Sequence, residues 1–236
     1  MPLAIIVLTM LTVRASLADH VRVPTGSMQP TVAIGDRVIV NKAAYGLRVP
    51  GTQLWLARFA GPAVGDVVVL DAPDEDKLLL KRVVAGPGDT IMVRAGQITL
   101  NGVAAPITSV GALDFETLNG RAHPVRLDRH GGPDYGPETL PPGRYLVMGD
   151  NRGDSRDGRY FGLISRDAIL GRAALVFMRQ GSPVWRDLGP AARGSIASDV
   201  VEDAGQPPGA VRGDAEPRGA RGGAARRPAA AGPARP

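Results

Sequence analysis

The sequence predicts a mostly β protein: antiparallel sheets or a partly closed barrel, with a small β insertion and an N-terminal membrane anchor. Short β-branched runs are separated by Gly-Asp and Asn-Gly pairs, the punctuation of tight hairpins. No βαβ rhythm of about 30 residues appears, and no internal repeat. Gly (31) and Pro (21) together exceed a fifth of the 236 residues while aromatics are only 4%, which favours turns, strands and a disordered segment over a helical bundle. A chain of this length supports one well-buried domain with tails rather than two domains.

Residues 1–18 open the chain with an uncharged apolar run, 2–13, that ends at Arg14. A membrane-crossing helix needs about 20 residues, so this one spans only if Arg14 snorkels and the helix continues through Leu17 or Ala18. A truncated start also explains its shortness. A cleavable signal peptide is the rival, since Ser16-Leu17-Ala18 imitates a cleavage site, but the basic leading region is missing.

Residues 19–103 form the first part of the core, with strands at 36–40, 66–70, 77–84, 90–93 and 98–100, read as a meander. Gly35-Asp36, Gly65-Asp66, Gly88-Asp89 and Asn101-Gly102 separate or end them. Residues 104–143 are polar and rich in Gly and Pro, and read as an inserted loop or β-extension. The core resumes at 144–188, with strands at 144–148 and 173–178 and a helical turn at 165–170 between them. The Ala/Gly/Pro/Arg-rich stretch 189–236 reads as a disordered tail.

The absence of cysteine excludes disulfides, thiolate catalysis and Cys-based zinc. His20, His123 and His130 have no metal-binding spacing, so no metal or other cofactor is expected. The net charge of +5 owes much to Arg212, Arg218, Arg221, Arg226, Arg227 and Arg235, set in the tail without aromatics to stack bases, so nucleic acid is not an expected partner. The Arg212-Gly213-Asp214 triplet there is a compositional accident.

Two segments carry chemistry. Ser27 lies in Val23-Pro24-Thr25-Gly26-Ser27-Met28-Gln29-Pro30-Thr31, where the prolines impose extended or turn geometry and Gly26 admits another chain beside the hydroxyl. Lys81 follows Leu78-Leu79-Leu80, and strand alternation puts it between Leu79 and Val83 on one face. A serine becomes a nucleophile when a neutral lysine takes its proton. An unperturbed amine is neutral in only about one molecule in 2,500 at pH 7; apolar burial supplies the roughly 3 kcal/mol that brings its pKa to about 8. Taken alone, the first segment reads as merely a turn and the second as a surface lysine on a half-exposed strand. The Ser27 N–H and the Thr25 hydroxyl are placed to receive a developing oxyanion. A third cluster, Met148 to Gly162, is rich in alternating charge: Ser155 is expected to hydrogen-bond the Lys81 amine and Asp157 to pair with Arg159.

With these motifs in this order, the chain resembles bacterial type I signal peptidase, the membrane-bound serine–lysine protease that removes signal peptides. The resemblance runs over roughly 14–178, through Ser27 to Thr31, Gly35-Asp36-Arg37-Val38 with Asn41-Lys42, Lys81-Arg82 to Gly88-Asp89, and Gly149-Asp150-Asn151 to Gly162. It implies Ser27 as nucleophile, Lys81 as general base, Thr25 in the oxyanion hole, Ser155 positioning the lysine, and a supporting Asp157–Arg159 pair with Asp150 and Arg82 nearby. It also implies a preprotein substrate with small residues before the cut and contact with membrane lipid. The expected protein is a monomer in the cell (inner) membrane, crossing it once with its catalytic domain on the outer, periplasmic side. The family commonly has Asn where this chain has Asp154 and Ser where it has Gly158; a carboxylate at 154 has to face away from Lys81 if the amine is to be neutral. Two other classes fit parts of the pattern: a self-cleaving serine–lysine repressor, which requires an upstream DNA-binding domain, and an inactive β-rich binding module.

Overall fold

The computed structural model describes residues 17–189 apart from 50, 51, 53, 129 and 130. The apolar run at 2–13 and the tail beyond 189 therefore lie outside the described residues. The described residues all belong to one structural unit, Met1–Ile196.

In chain order the first strands are β1 (Ala18–Arg22), β2 (Arg37–Asn41), β3 (Gly46–Arg48), β4 (Trp55–Arg58), β5 (Val67–Asp71), β6 (Leu78–Ala85), β7 (Thr90–Arg94) and β8 (Gln97–Leu100). The 104–143 region is bordered or filled by β9 (Val103–Ala104), β10 (Ile107–Val110), β11 (Leu113–Leu118), β12 (Arg121–Val125) and β13 (Tyr135–Thr139). The chain then forms β14 (Arg144–Met148), the helical turn α1 (Gly158–Phe161), β15 (Ile164–Ser165), β16 (Ile169–Arg179) and β17 (Ser182–Asp187).

The main sheet is antiparallel, ordered β1-β2-β16-β5-β6-β14-β15 with β17 on β16, and curls into a half-barrel. A second sheet is ordered β13-β7-β8-β9, a third β10-β11-β12, and β3 pairs with β4. The expected meander is thus corrected: β16 lies between β2 and β5, and β7 and β8 leave the main sheet. Register shifts at Ile169/Gly171, Ala173/Leu175 and Val176/Met178 bend this long strand so that it serves three partners. The helical turn shrinks to a 3-10 turn, Arg166–Ala168, capped by Ser165 Oγ accepting from Ala168 N at 3.2 Å.

The Gly-Asp pairs share one mechanism. Gly35, Gly65 and Gly88 sit at φ +88°, +97° and +86°, where a side chain would be strained. Each following aspartate turns its carboxylate back onto the N–H three residues upstream: Asp36 onto Ala33 at 2.9 Å, Asp66 onto Ala63 at 3.0 Å, and Asp89 onto Gly86 at 2.9 Å. Buried Asp36 is then free to receive Arg179 from β16, and Asp66 the Tyr45 hydroxyl, so turn chemistry also ties strands together.

β6 is exposed at Leu78 but buried on both faces from Lys81 to Ala85. Leu80 packs with Val23, Met28 and Val67; Leu79 and Val83 with Val68 and Val147; and Val84 and Ala85 with Ile91 and Leu146. A lysine on such a strand is carried into the interior by its neighbours.

Candidate active site

Ser27 is held from both sides by apolar anchors. Val23 and Met28 bury their side chains with Val32, Val38 and Val176, and between them Gln29 N donates to Gly26 O at 3.0 Å, making the turn that presents the hydroxyl. Asn151 clamps the same turn: its N–H donates to Ser27 O at 3.1 Å and its Nδ2 to Gly26 O at 3.2 Å. Among the described residues no hydrogen bond occupies the Ser27 N–H.

Lys81, opposite Val68 in the β5–β6 register, places Nζ 2.7 Å from Ser27 Oγ. Its side chain is only 3% exposed, and among the described residues no carboxylate pairs with it. Burial lowers the amine from its ordinary 10.5 to about 8 against the opposing pull of Asp157 and Asp150. At pH 7 about a tenth of the molecules then hold a neutral amine, against about one in 2,500 for a free lysine. Thr25 Oγ1 stands 3.4 Å from Ser27 Oγ. Both residues line a cleft of about 580 Å³ with Val21, Val23, Leu79 and Leu80, a surface apolar enough to take small side chains.

Asp157 and Arg159 form the expected pair: Arg159 Nε and Nη2 each donate to the Asp157 carboxylate at 2.8 Å in the interior. Asp157 also accepts from Gly149 N at 2.9 Å and caps α1, because its carboxylate reaches the free Arg159 N–H. Arg82 grips Asp150 with Nε and Nη2, both at 2.8 Å, and donates Nη1 to Gly65 O at 2.7 Å. The expected Ser155–Lys81 hydrogen bond is not made. Among the described residues the buried Ser155 hydroxyl has no hydrogen-bond partner; it packs on Gly149, where a Cβ would collide with both that hydroxyl and the Ser27 carbonyl. Asp154 lines the cleft in an exposed position and does not contribute appreciably to the Lys81 field.

Sequence reasoning missed Asn151 as the clamp on Ser27, and Thr31, whose hydroxyl donates to Asp150. It also missed buried Glu116, which holds Arg152. Asn151 and Arg152 stood inside a noted cluster, so their charge and amide content was a signal without an address. Glu116 gave none. Among the described residues, no group of three or more His, Asp or Glu side chains is disposed to hold a metal ion.

Residues 1–178 match the family described as signal peptidase, peptidase S26. The chain belongs to the signal peptidase I family. Signal peptidase I of Pseudomonas aeruginosa is 32% identical over 201 residues, covering 75% of this chain and 71% of its own. Signal peptidase I T of Bacillus subtilis is 33% identical over 178 residues, covering 74% and 81%. A solved signal peptidase I from Enterococcus faecalis overlaps 48% of this chain and 97% of its own, at 23% identity and a TM-score of 0.36. Family membership makes the chain a peptidase. Among the described residues no helix is long and apolar enough to cross a membrane.

Proposed function

We propose that this signal peptidase I family member is a membrane-bound endopeptidase that releases signal peptides from preproteins by a Ser27/Lys81 dyad through an acyl-enzyme. The observation that carries the reading is the 2.7 Å approach of a water-shielded amine, lowered to about 8, to a cleft-lining hydroxyl.

An extended substrate enters the cleft between the segment after β1 and β6, adding as a strand with small side chains in the apolar pockets. Neutral Lys81 takes the Ser27 proton as Oγ attacks the scissile carbonyl. The Ser27 N–H and Thr25 hydroxyl receive the oxyanion. The C–N bond then breaks, the lysine's proton goes to the leaving amine, and an ester to Ser27 remains. Lys81, neutral again, draws a proton from water as its oxygen attacks the ester; the C–O bond to Ser27 breaks and the ammonium returns that proton to Oγ, restoring both groups. Asp157, Arg159, Asp150 and Arg82 hold the loops around the dyad, and Ser155 packs on Gly149 beside the Ser27 carbonyl.

Ser27 lies 13 residues beyond Arg14, so the hydroxyl stands at most about 45 Å from the end of the apolar run, at about 3.3 to 3.6 Å per residue. That reach suits a site working at the outer face of a membrane into which residues 2–13 insert. The test is cleavage of a preprotein by the full chain in detergent or vesicles. Wild type is expected to cut after small residues and Ser27→Ala to be inactive; cleavage by Ser27→Ala at more than a few per cent of the wild-type rate would remove the dyad.

A further inference from the structure

The buried pair formed by Glu116 and Arg152 lies outside the proposed chemistry, yet it joins the inserted β-lobe to the loop that clamps the nucleophile. We propose that Glu116 is a positioning residue: from β11 it fixes Arg152, and through Arg152 it holds the 149–152 segment against Ser27. The inference rests on the Ser27/Lys81 reading of the site.

Glu116 and Arg152 are both shut off from solvent. Arg152 Nη1 donates to Glu116 Oε1 at 3.0 Å and Nη2 to Oε2, a two-point grip that fixes the guanidinium plane. With that plane fixed, Nη1 also reaches Gly96 O of the β7–β8 turn at 2.5 Å, and Nε reaches Gly149 O at 3.2 Å. The Arg152 carbonyl accepts from Arg159 Nη2 at 2.7 Å, and Arg152 N donates to Arg126 O at 3.0 Å. Gly149 packs on the Ser27 carbonyl, and the next residue but one is Asn151, which holds both Gly26 O and Ser27 O. A carboxylate in the lobe therefore reaches the nucleophile's backbone through one arginine.

His123 is the cross-strand partner of Glu116 and lies 3.3 Å from its Oε2. Burial, reinforced by the field of Arg82, pushes His123 below its ordinary range, so at neutral pH it is uncharged. The charge of Glu116 is accordingly answered by Arg152. Burial by itself raises the Glu116 carboxyl, but the Arg152 guanidinium, helped by the adjacent His123, overrides this and brings it down to about 2. Truncating Glu116 leaves Arg152 a buried cation free to turn toward other acceptors, and its hold on Gly149 lapses.

The test measures kcat and KM on one preprotein, at a temperature where thermal melting shows every variant folded. Glu116→Gln is expected to lower kcat about tenfold or more while KM stays within about twofold, since the clamp acts on the nucleophile rather than on the cleft walls. In the double variant Glu116→Gln with His123→Glu, a carboxylate is returned from the paired strand, and kcat is expected to recover at least threefold over the single variant. A kcat within twofold of wild type in folded Glu116→Gln would overturn the inference, as would a loss the double variant does not relieve. Should Glu116→Gln fail to fold, the double variant carries the test, with Arg152→Lys as its comparison: kcat of the double variant is expected to lie well above that of Arg152→Lys, and equal values would overturn the inference. Ser27→Ala separates the two readings. If it remains active the dyad itself is wrong; if it is dead while Glu116→Gln is fully active, only the positioning role is lost.

Discussion

Lys81 and Arg82 are neighbours on one strand, nearly equally buried, and they meet opposite kinds of partner. Arg82 meets Asp150 with two charge-assisted hydrogen bonds. Lys81 meets a hydroxyl and aliphatic walls, and its amine falls to about 8. Burial sets the cost of a charge in both places; the partner decides how much of that cost is offset. One side of β6 thus ties down a loop, while the other holds an amine of lowered pKa at the expense of the fold.

The largest expected effect breaks the reactive side. Lys81→Met and Lys81→Arg should both reduce preprotein cleavage by about a thousandfold or more, because neither supplies a neutral amine at working pH. Substantial activity in Lys81→Arg would take the lysine out of the mechanism. Removing Arg82 instead breaks the paired side. Arg82→Met strands the fully buried Asp150 and should cost about 3 to 5 kcal/mol by denaturant unfolding. Adding Asp150→Leu should return most of that loss; no recovery would mean the two residues do not act as a pair.

The comparison also has a sign that pH can read. Below about pH 8 the ammonium of Lys81 is protonated in both folded and unfolded chains, so the folded state carries the full cost of its burial. Between about 8 and 10.5 the folded amine loses its proton before the unfolded one, and stability rises with pH across that window. At about 1.4 kcal/mol per unit the cost is about 3 kcal/mol, so Lys81→Met should be more stable than wild type by up to that amount at pH 6 to 7. The gap should close above about pH 10.5, and a gap that ignores pH would assign it to packing. The cleavage rate should rise about tenfold per unit up to about pH 8 and then level, since the proposed dyad needs the neutral amine. The smallest effect belongs to Asp154→Asn: its carboxylate is exposed, so the midpoint of that profile should move by less than about 0.3 units.

Much of the framework was legible because turn chemistry is local. Residues 144–148 emerge as β14 unchanged, and the strands expected at 36–40 and 66–70 appear one residue later. The 104–143 stretch was harder, since its polar composition gave no sign that Glu116 and His123 on adjacent strands are buried. They are interior because Arg152, 36 positions along the chain from Glu116, turns inward to meet the carboxylate. The place of β16 between β2 and β5 was equally hidden: its apolar residues say that it is buried, and nothing in their order says between which strands. Ser155 shows the reverse case, where a polar group in the right cluster packs on Gly149 without bonding the amine.

The sequence by itself determined the β class, the hairpin turns and the two residues to watch, because φ preference, alternation and motif spacing act over a few neighbouring positions. Only the tertiary structure decided that Ser27 and Lys81, 54 residues apart, meet in one cleft with the amine buried, and that Asn151 and the Glu116–Arg152 pair brace the turn that carries Ser27. The reason is desolvation: it depends on every chain segment that packs around a group, and no local stretch of sequence contains them all.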